Sequence, residues 1–206
     1  MTGSSRAPFE LVLCDLGGVL VHVDSAGVVD QLARLSGRST EDVIRSLDMD
    51  LLAAYEEGRV TSEAFHQQLA QALGLPLAFD EFARLWNDLF TENTETAAIL
   101  QRLRDQCRVA CLSNTNALHF QHLMATVPSM GLFHARWVSF ELGVRKPDPQ
   151  IYLTALERMG AAPWSTLYID DREDLVAAGR QVGLRAIHFR DPVQLRGELQ
   201  ALGFEV

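Results

Sequence analysis

The sequence has no long apolar run, few cysteines and a shortage of positive charge. No stretch reaches the roughly 18 consecutive apolar residues that a membrane-spanning helix needs. Met1–Pro8 lacks the apolar segment of a signal peptide, so we expect a cytoplasmic protein. The three cysteines lack the paired spacing of a metal site, and two of them, Cys14 and Cys111, fall within predicted buried strands. We therefore expect free thiols and no membrane anchor.

The charge balance is acidic, with 18 Lys and Arg against 27 Asp and Glu and a formal net charge of −9. Such a chain is not expected to bind nucleic acid or an anionic membrane nonspecifically. A pocket that holds an anion must therefore concentrate its positive charge locally. The 206 residues, of which 48% are hydrophobic, suffice for one sizeable domain and a small accessory one.

The order of segments predicts an α/β fold with an inserted helical unit. Met1–Pro8 is small and polar, and we expect a flexible tail there. Apolar strand-like runs alternate with helical patterns in residues 9–24 and 93–206, which predicts a Rossmann-like core with a three-layer αβα arrangement around a parallel sheet. Residues 25–92 carry only helical patterns, and a connection of this length needs its own structure. We interpret it as a small all-helical cap domain. The predicted strands are Phe9–Cys14, Arg108–Ser113, Ala135–Ser139, Thr166–Ile169 and Leu184–Phe189, and the last cap helix is predicted over Asp80–Phe90.

Chemically active side chains stand at the ends of predicted strands or in the loops beyond them. An acid, a hydroxyl, a lysine and an acid pair follow one another along the chain: Asp15, Ser113, Lys146, and Asp170 with Asp171. Each alone has an ordinary structural reading as a turn or helix cap. Together, in this order, they resemble the four motifs of the haloacid dehalogenase-like (HAD) hydrolase superfamily. The resemblance spans Leu11 to about Phe189.

This resemblance and the residue types imply cleavage of phosphate esters. A carboxylate nucleophile divides that reaction into two steps with an aspartyl-phosphate between them, and Asp15 is the predicted nucleophile. A Mg²⁺ ion on oxygen ligands would cancel the repulsion between Asp15 and the phosphate. We expect Asp171 as a direct ligand beside Asp15, with Asp170 close behind or bridging through water. The resemblance adds the main-chain carbonyl of Gly17 as a further ligand.

Three core residues are expected to contact the transferred group. Ser113 should donate its hydroxyl to a phosphoryl oxygen, with help from backbone amides near Asn114. Lys146 should neutralise both the nucleophile and the charge that develops on the phosphoryl group.

The cap is expected to select the substrate, because it closes over the nucleophile and excludes water. Among its polar and aromatic residues we predict Tyr55 and Arg59 as substrate contacts, together with His22 in the extended segment after the first motif. For each of them, a position on a helix surface or at a helix cap is the ordinary alternative.

Two positions depart from the superfamily pattern. Phosphatases of this kind usually carry a second Asp two residues after the nucleophile as general acid and base, a role commonly worth about 10²–10⁴ in rate. Here that position is Gly17. Leu175 stands where many members have Asn or Gly. The sequence also resembles bacterial α-D-glucose-1-phosphate phosphatases, a helical-cap branch that lacks the second Asp. The matching segments are Leu112–Asn116, Leu142–Pro147, Ile169–Asp171 and Glu57–Phe65.

Three functions remain compatible with these residues. The first is a Mg²⁺-dependent phosphatase of small phosphorylated metabolites, with sugar phosphates favoured. The second is a catalytically silent module that binds phosphate or a metabolite, suggested by Gly17 and Leu175. The third is a metal-independent dehalogenase-like hydrolase, against which the adjacent acids Asp170 and Asp171 argue.

Overall fold

The computed structural model describes residues 7–206, so the predicted tail at 1–8 lies almost entirely outside the described residues. The strands are β1 (Leu11–Cys14), β2 (Val21–Val23), β3 (Phe90–Glu92), β4 (Arg108–Ser113), β5 (Ala135–Val138), β6 (Thr166–Asp170) and β7 (Arg185–His188). The α-helices are α1 (Ser25–Ser36), α2 (Thr40–Ser46), α3 (Met49–Glu56), α4 (Ser62–Leu73), α5 (Phe79–Asn87), α6 (Thr94–Arg104), α7 (Ala117–Thr126), α8 (Ser139–Leu142), α9 (Pro149–Met159), α10 (Glu173–Gln181) and α11 (Pro192–Ala201). Among these helices none is long and apolar enough to cross a membrane.

Five strands form one parallel sheet in the order β5-β4-β1-β6-β7. The first strand lies in the centre, with Leu11 in register with Arg108 on one side and Thr166 on the other. Crossover helices cover the sheet and bring the carboxyl ends of its strands to one edge. The predicted three-layer αβα fold is confirmed.

Both faces of the sheet are buried, which explains why its strands are continuous apolar runs. Val12 and Cys14 point into one core cluster, whereas Leu11 and Leu13 point into the other. Because all four side chains are fully buried, β1 is held rigidly from both sides. The residue that follows it, Asp15, therefore has a well-defined position.

Helices α1–α5 lie between β2 and β3, within the segment predicted as the cap. They enclose a separate apolar cluster whose aromatic members include Tyr55, Phe65, Phe82 and Trp86. The stacked rings of Tyr55 and Phe65, with centroids 4.5 Å apart, tie α3 to α4. The helical segment thus has a core of its own. Its limits at 25–92 stay a prediction.

The end of the helical segment differs from the sequence prediction. Helix α5 ends at Asn87, and Phe90 begins a strand instead of closing the predicted helix Asp80–Phe90. This strand pairs antiparallel with β2, with Val23 opposite Phe90. The two chain segments that join the helical block to the sheet are therefore held together as a ribbon. Local periodicity missed this because the partner strand lies far away in sequence.

A glycine permits close packing of the helical block on the core. Gly58, in the loop between α3 and α4, has φ +68°, and a Cβ atom there would stand 2.2 Å from the carbonyl oxygen of Phe140. Phe140 lies in α8, the short helix that precedes the Lys146 loop. The loop after α3 therefore meets the core backbone to backbone, close to a predicted site residue.

We expect Gly58→Ala to destabilise the protein more than Gly74→Ala does. Both glycines have φ +68°, but a Cβ at Gly74 would meet nothing within 4 Å. Gly74→Ala should therefore lower the free energy of unfolding only by the backbone penalty of about 1–2 kcal/mol. Gly58→Ala should lose clearly more, because the methyl group must also push Phe140 away. Urea unfolding midpoints measure the difference, and equal losses would contradict the close packing.

Candidate active site

The predicted motif residues converge at the carboxyl edge of the sheet. Asp15 follows β1, Ser113 ends β4 and Asp170 ends β6, and these three strands are neighbours. In open α/β sheets this edge is where ligands bind. Lys146 reaches the same place from the loop between α8 and α9.

Lys146 is the centre of this arrangement and the only lysine of the chain. Its side chain is fully buried. The ammonium group donates to the carbonyl oxygen of Leu112 at 2.9 Å and to Asp170 Oδ2 at 2.6 Å, and it lies 3.0 Å from Asp15 Oδ2. All three of its N–H donors thus have an acceptor. Burial by itself would lower the pKa of Lys146, but the carboxylates of Asp15 and Asp170 outweigh that effect and raise it.

Surrounding residues hold this lysine and its partner acid in place. The side-chain amide of Asn114 donates to the Lys146 carbonyl and its oxygen accepts from the Lys146 amide, both at 2.8 Å. Asp170 accepts the Tyr168 hydroxyl and, at 2.9 Å, the backbone amide of Arg172. Tyr168 was not predicted as a site residue, because an aromatic residue within a buried strand reads as core. With three donors on its carboxylate, Asp170 acts chiefly as the counter-ion of Lys146.

Both carboxylate oxygens of Asp15 have partners that fix its orientation. Its Oδ1 accepts the backbone amide of Leu16 at 2.7 Å, which leaves Oδ2 facing Lys146. Burial raises the pKa of Asp15 to about 7, although the Lys146 ammonium and the Ser113 hydroxyl act in the opposite direction. A second cation beside this carboxylate would favour the ionised, nucleophilic form.

The acids at this edge can accommodate a divalent cation. Carboxylate oxygens of Asp15, Asp170 and Asp171 all lie within 4.8 Å of one another. A Cβ on Gly18 would stand 2.1 Å from Asp171 Oδ2, so the glycine lets the carboxylate come close to the first loop. Of these three carboxylates the Lys146 ammonium contacts those of Asp15 and Asp170, and its single positive charge cannot balance all three when they are ionised. Burial and the charge of Asp170 also raise the pKa of Asp171. Hard oxygen ligands with surplus negative charge are the environment that Mg²⁺ prefers.

A cleft of about 450 Å³ opens above these groups. Seven predicted site residues line it: Asp15, Gly17, His22, Ser113, Asn114, Lys146 and Asp171. Three charged residues that were not predicted line it as well: Glu56, Arg145 and Arg172. Arg145 and Glu56 form an ion pair at 2.9 Å, and Arg172 pairs with Asp174 at 2.6 Å. Each of these reads locally as an ordinary surface charge, so only the fold reveals its position.

Two predicted substrate contacts lie elsewhere. Tyr55 is buried in the core of the helical segment, and its hydroxyl lies 2.8 Å from Ser62 Oγ. Its ring serves to pack helices, since it stacks on Phe65. Arg59 is exposed and pairs with Glu57 at 2.7 Å. Neither residue lines the cleft.

A second cleft, of about 540 Å³, lies away from these motifs, against the amino-terminal ends of β1 and β4. Its lining includes Phe9, Cys107, Arg108 and His134. Ligands of parallel α/β sheets bind at the carboxyl ends of the strands, so this cleft is not the candidate active site.

A family model for haloacid dehalogenase-like hydrolases matches residues 9–183. The chain belongs to this family. The sequence-based resemblance to this family is thereby confirmed.

This HAD hydrolase is similar to proteins that are named as phosphatases of small molecules. It is 24% identical over 199 residues to a D-ribitol-5-phosphate phosphatase of Bacteroides thetaiotaomicron, covering 93% of this chain and 97% of the relative. It is 25% identical over 198 residues to a sesquiterpene phosphatase of Aspergillus oryzae, covering 94% and 96%. A HAD family enzyme of Bacteroides thetaiotaomicron, solved in complex with magnesium and inorganic phosphate, superposes with a TM-score of 0.82. Its identity is 23%, and the match covers 91% of this chain and 98% of that one, which shows a common fold.

We expect Lys146→Met to destabilise the protein by about 3–5 kcal/mol, because it leaves buried carboxylates without their counter-ion. Asp170 is fully buried and Asp15 is 7% exposed, so water cannot replace the ammonium. Unfolding in urea measures the loss. A Lys146→Met, Asp170→Asn double variant should recover part of it, since one uncompensated charge is then gone. Strictly additive losses would contradict the coupling.

Proposed function

We propose that this HAD hydrolase is a Mg²⁺-dependent phosphatase of small phosphorylated metabolites that works through an aspartyl-phosphate on Asp15. The observation that carries the proposal is the charge balance at the sheet edge. Asp15, Asp170 and Asp171 cluster together, and the one ammonium beside them, that of Lys146, contacts the first two, so the site needs a cation before it can accept an anion. Bound between these acids, Mg²⁺ would offset their charge and polarise the phosphoryl group.

Each residue of the site would then have a separate role in the reaction. Asp15 Oδ2, the oxygen that faces Lys146, attacks phosphorus and forms the aspartyl-phosphate. The Lys146 ammonium holds this carboxylate in position and meets the charge that develops on the phosphoryl oxygens. The Ser113 hydroxyl and backbone amides near Asn114 bind those oxygens. Asp171 and the Gly17 carbonyl would hold the metal ion, with Asp15 as the shared ligand and Asp170 behind them.

The cleft supports a small, hydroxyl-rich leaving group. Beyond the acids and Lys146 its charged groups are already paired, Arg145 with Glu56 and Arg172 with Asp174. Such pairs present hydrogen-bond donors and acceptors without a strong net charge, which suits a polyol or a sugar better than a second anion. The ribitol phosphate and sesquiterpene substrates named for two relatives, and the likeness to glucose-1-phosphate phosphatases, support a phosphorylated small molecule. Among these we favour sugar phosphates.

The two alternatives fit the site less well. A metal-independent dehalogenase would have to keep Asp170 and Asp171 beside Asp15 with Lys146 as the sole buried counter-ion. A silent binding module needs no nucleophile, yet Asp15 lines the cleft with its Oδ1 held by the Leu16 amide and its Oδ2 beside the Lys146 ammonium.

Phosphate release tests the proposal directly. Ribitol 5-phosphate, glucose 1-phosphate, glucose 6-phosphate and 4-nitrophenyl phosphate would be incubated with the wild type in Mg²⁺ and in EDTA. We expect release that EDTA abolishes and that Mg²⁺ restores. Asp15→Asn should fall to the uncatalysed background, because an amide is a poor nucleophile. Asp30→Asn, which changes an exposed acid of α1, should retain wild-type activity.

Two outcomes would contradict the proposal. Full activity in EDTA would favour the metal-independent hydrolase. No release from any ester by the wild type would favour the binding module, and titration with inorganic phosphate would then measure its affinity.

A further inference from the structure

A phosphatase of this kind needs a proton donor that its first loop does not supply. The leaving alkoxide must be protonated, and the water that later attacks the aspartyl-phosphate must lose a proton. Gly17 stands where a carboxylate would be expected from the superfamily pattern. The glycine is not a steric requirement, because a Cβ there would meet only Val23 Cγ2, at 3.5 Å. The chain therefore lacks a carboxylate at a position where a Cβ atom would make only an ordinary contact.

Few of the ionisable groups that line the cleft could act as the proton donor instead. Asp15 is the nucleophile and Asp171 belongs to the metal site. Lysine and arginine stay charged and make poor acids at neutral pH. Two side chains remain among the described residues, Glu56 and His22.

Glu56 is the better shielded of the two. It ends α3, and 18% of its side chain is exposed, whereas His22 is exposed on β2. Its Oε2 lies 2.9 Å from the Arg145 guanidinium but outside hydrogen-bond geometry, so this buried oxygen has no hydrogen-bond partner. A carboxyl group that lines the cleft and is held partly away from bulk water is suited to exchange a proton with a bound ligand.

Neighbouring groups raise and lower the pKa of Glu56. One of them, Arg145, also connects Glu56 to the loop of Lys146. Burial raises its pKa, with a smaller contribution from Glu57, whereas the charges of Arg145, Arg172 and Lys146 lower it. Arg145 directly precedes Lys146, so the ion pair links Glu56 to the loop that carries the central ammonium. Gly58, two residues after Glu56, packs closely on Phe140 and so holds this part of the cap against the core.

We propose that Glu56 is the general acid and base of this site, an inference that rests on the phosphatase function proposed above. As Asp15 forms its bond to phosphorus, the bond from phosphorus to the leaving oxygen breaks, and that oxygen takes the proton of the Glu56 carboxyl group. The Glu56 carboxylate then accepts a proton from water as the water oxygen bonds to phosphorus. The Asp15–phosphorus bond breaks and inorganic phosphate is released. Glu56 is left protonated, as it was at the start of the cycle.

The test compares kcat/KM for two phosphate esters whose leaving groups differ in their need for a proton. In Glu56→Gln, kcat/KM should fall about 100-fold or more for a sugar or polyol phosphate, whose alkoxide needs a proton. For 4-nitrophenyl phosphate the fall should be less than about fivefold, because nitrophenolate leaves without one. This aryl activity also shows that the variant is folded. Glu57→Gln is the matched control, since Glu57 is the next residue, pairs with Arg59 and lies outside the cleft; it should keep both activities.

Two further measurements separate acid catalysis from a structural role. In the wild type, kcat/KM for the polyol phosphate should decline as rising pH ionises Glu56, and this decline should vanish in Glu56→Gln. A Gly17→Asp, Glu56→Gln double variant should regain at least tenfold of the lost polyol activity, because its new carboxyl group faces the same cleft.

Several results would overturn the proposal. These are equal losses on both esters, no loss on either, an unchanged pH decline in Glu56→Gln, or a double variant as slow as Glu56→Gln alone. A selective loss of alkyl phosphate activity in His22→Asn, with none in Glu56→Gln, would assign the proton to His22 instead. If the wild type released phosphate from neither ester, the phosphatase function itself would fail, a result distinct from all of these.

Discussion

One buried ammonium group holds the candidate active site together. Lys146 joins the ends of β4, β1 and β6 through the carbonyl of Leu112 and the carboxylates of Asp15 and Asp170. A lysine suits this task because its three donors diverge from a single small charged atom, whereas the planar fork of an arginine favours side-by-side acceptors. It is the only lysine in a chain whose other permanently cationic side chains are all arginine. The position of Asp15, the proposed nucleophile, therefore depends on one side chain that comes from a loop outside the sheet.

The same cluster explains how an acidic protein can bind an anion. Its net charge of −9 repels phosphate, and the three carboxylates around Lys146 would do so even more strongly. The cations of the protein do not fully balance the negative charge of these carboxylates. In the proposed mechanism, a divalent cation would bind to these acids and would offset their repulsion of phosphate. The excess negative charge of the metal-free site would then be the reason why it can bind an anion once the metal is present.

The helical segment contributes more than a cover for this centre. The loop after α3 packs on α8 through Gly58, and Glu56 forms an ion pair with Arg145, the neighbour of Lys146. The residues that most directly shape the cleft from the cap side are thus connected to the loop of the central lysine. Changes in how the cap sits on the core would act at once on the surroundings of the leaving group. If Glu56 transfers the proton as proposed, substrate selection and proton transfer would both depend on cap packing.

The sequence by itself determined the parallel α/β fold and the place of the motif residues along it. Buried strands are continuous apolar runs, and side chains that follow them must meet at one edge of the sheet, so Asp15, Ser113 and Asp171 could be located from local pattern. Tertiary structure alone decided that Tyr55 packs in a helical core, and that Phe90 extends a ribbon with β2. It also decided which of the many surface charges reach the cleft, as Glu56 and Arg145 do. The physical reason is that these positions depend on contacts between segments distant in sequence, and such contacts leave no trace in the periodicity of either segment.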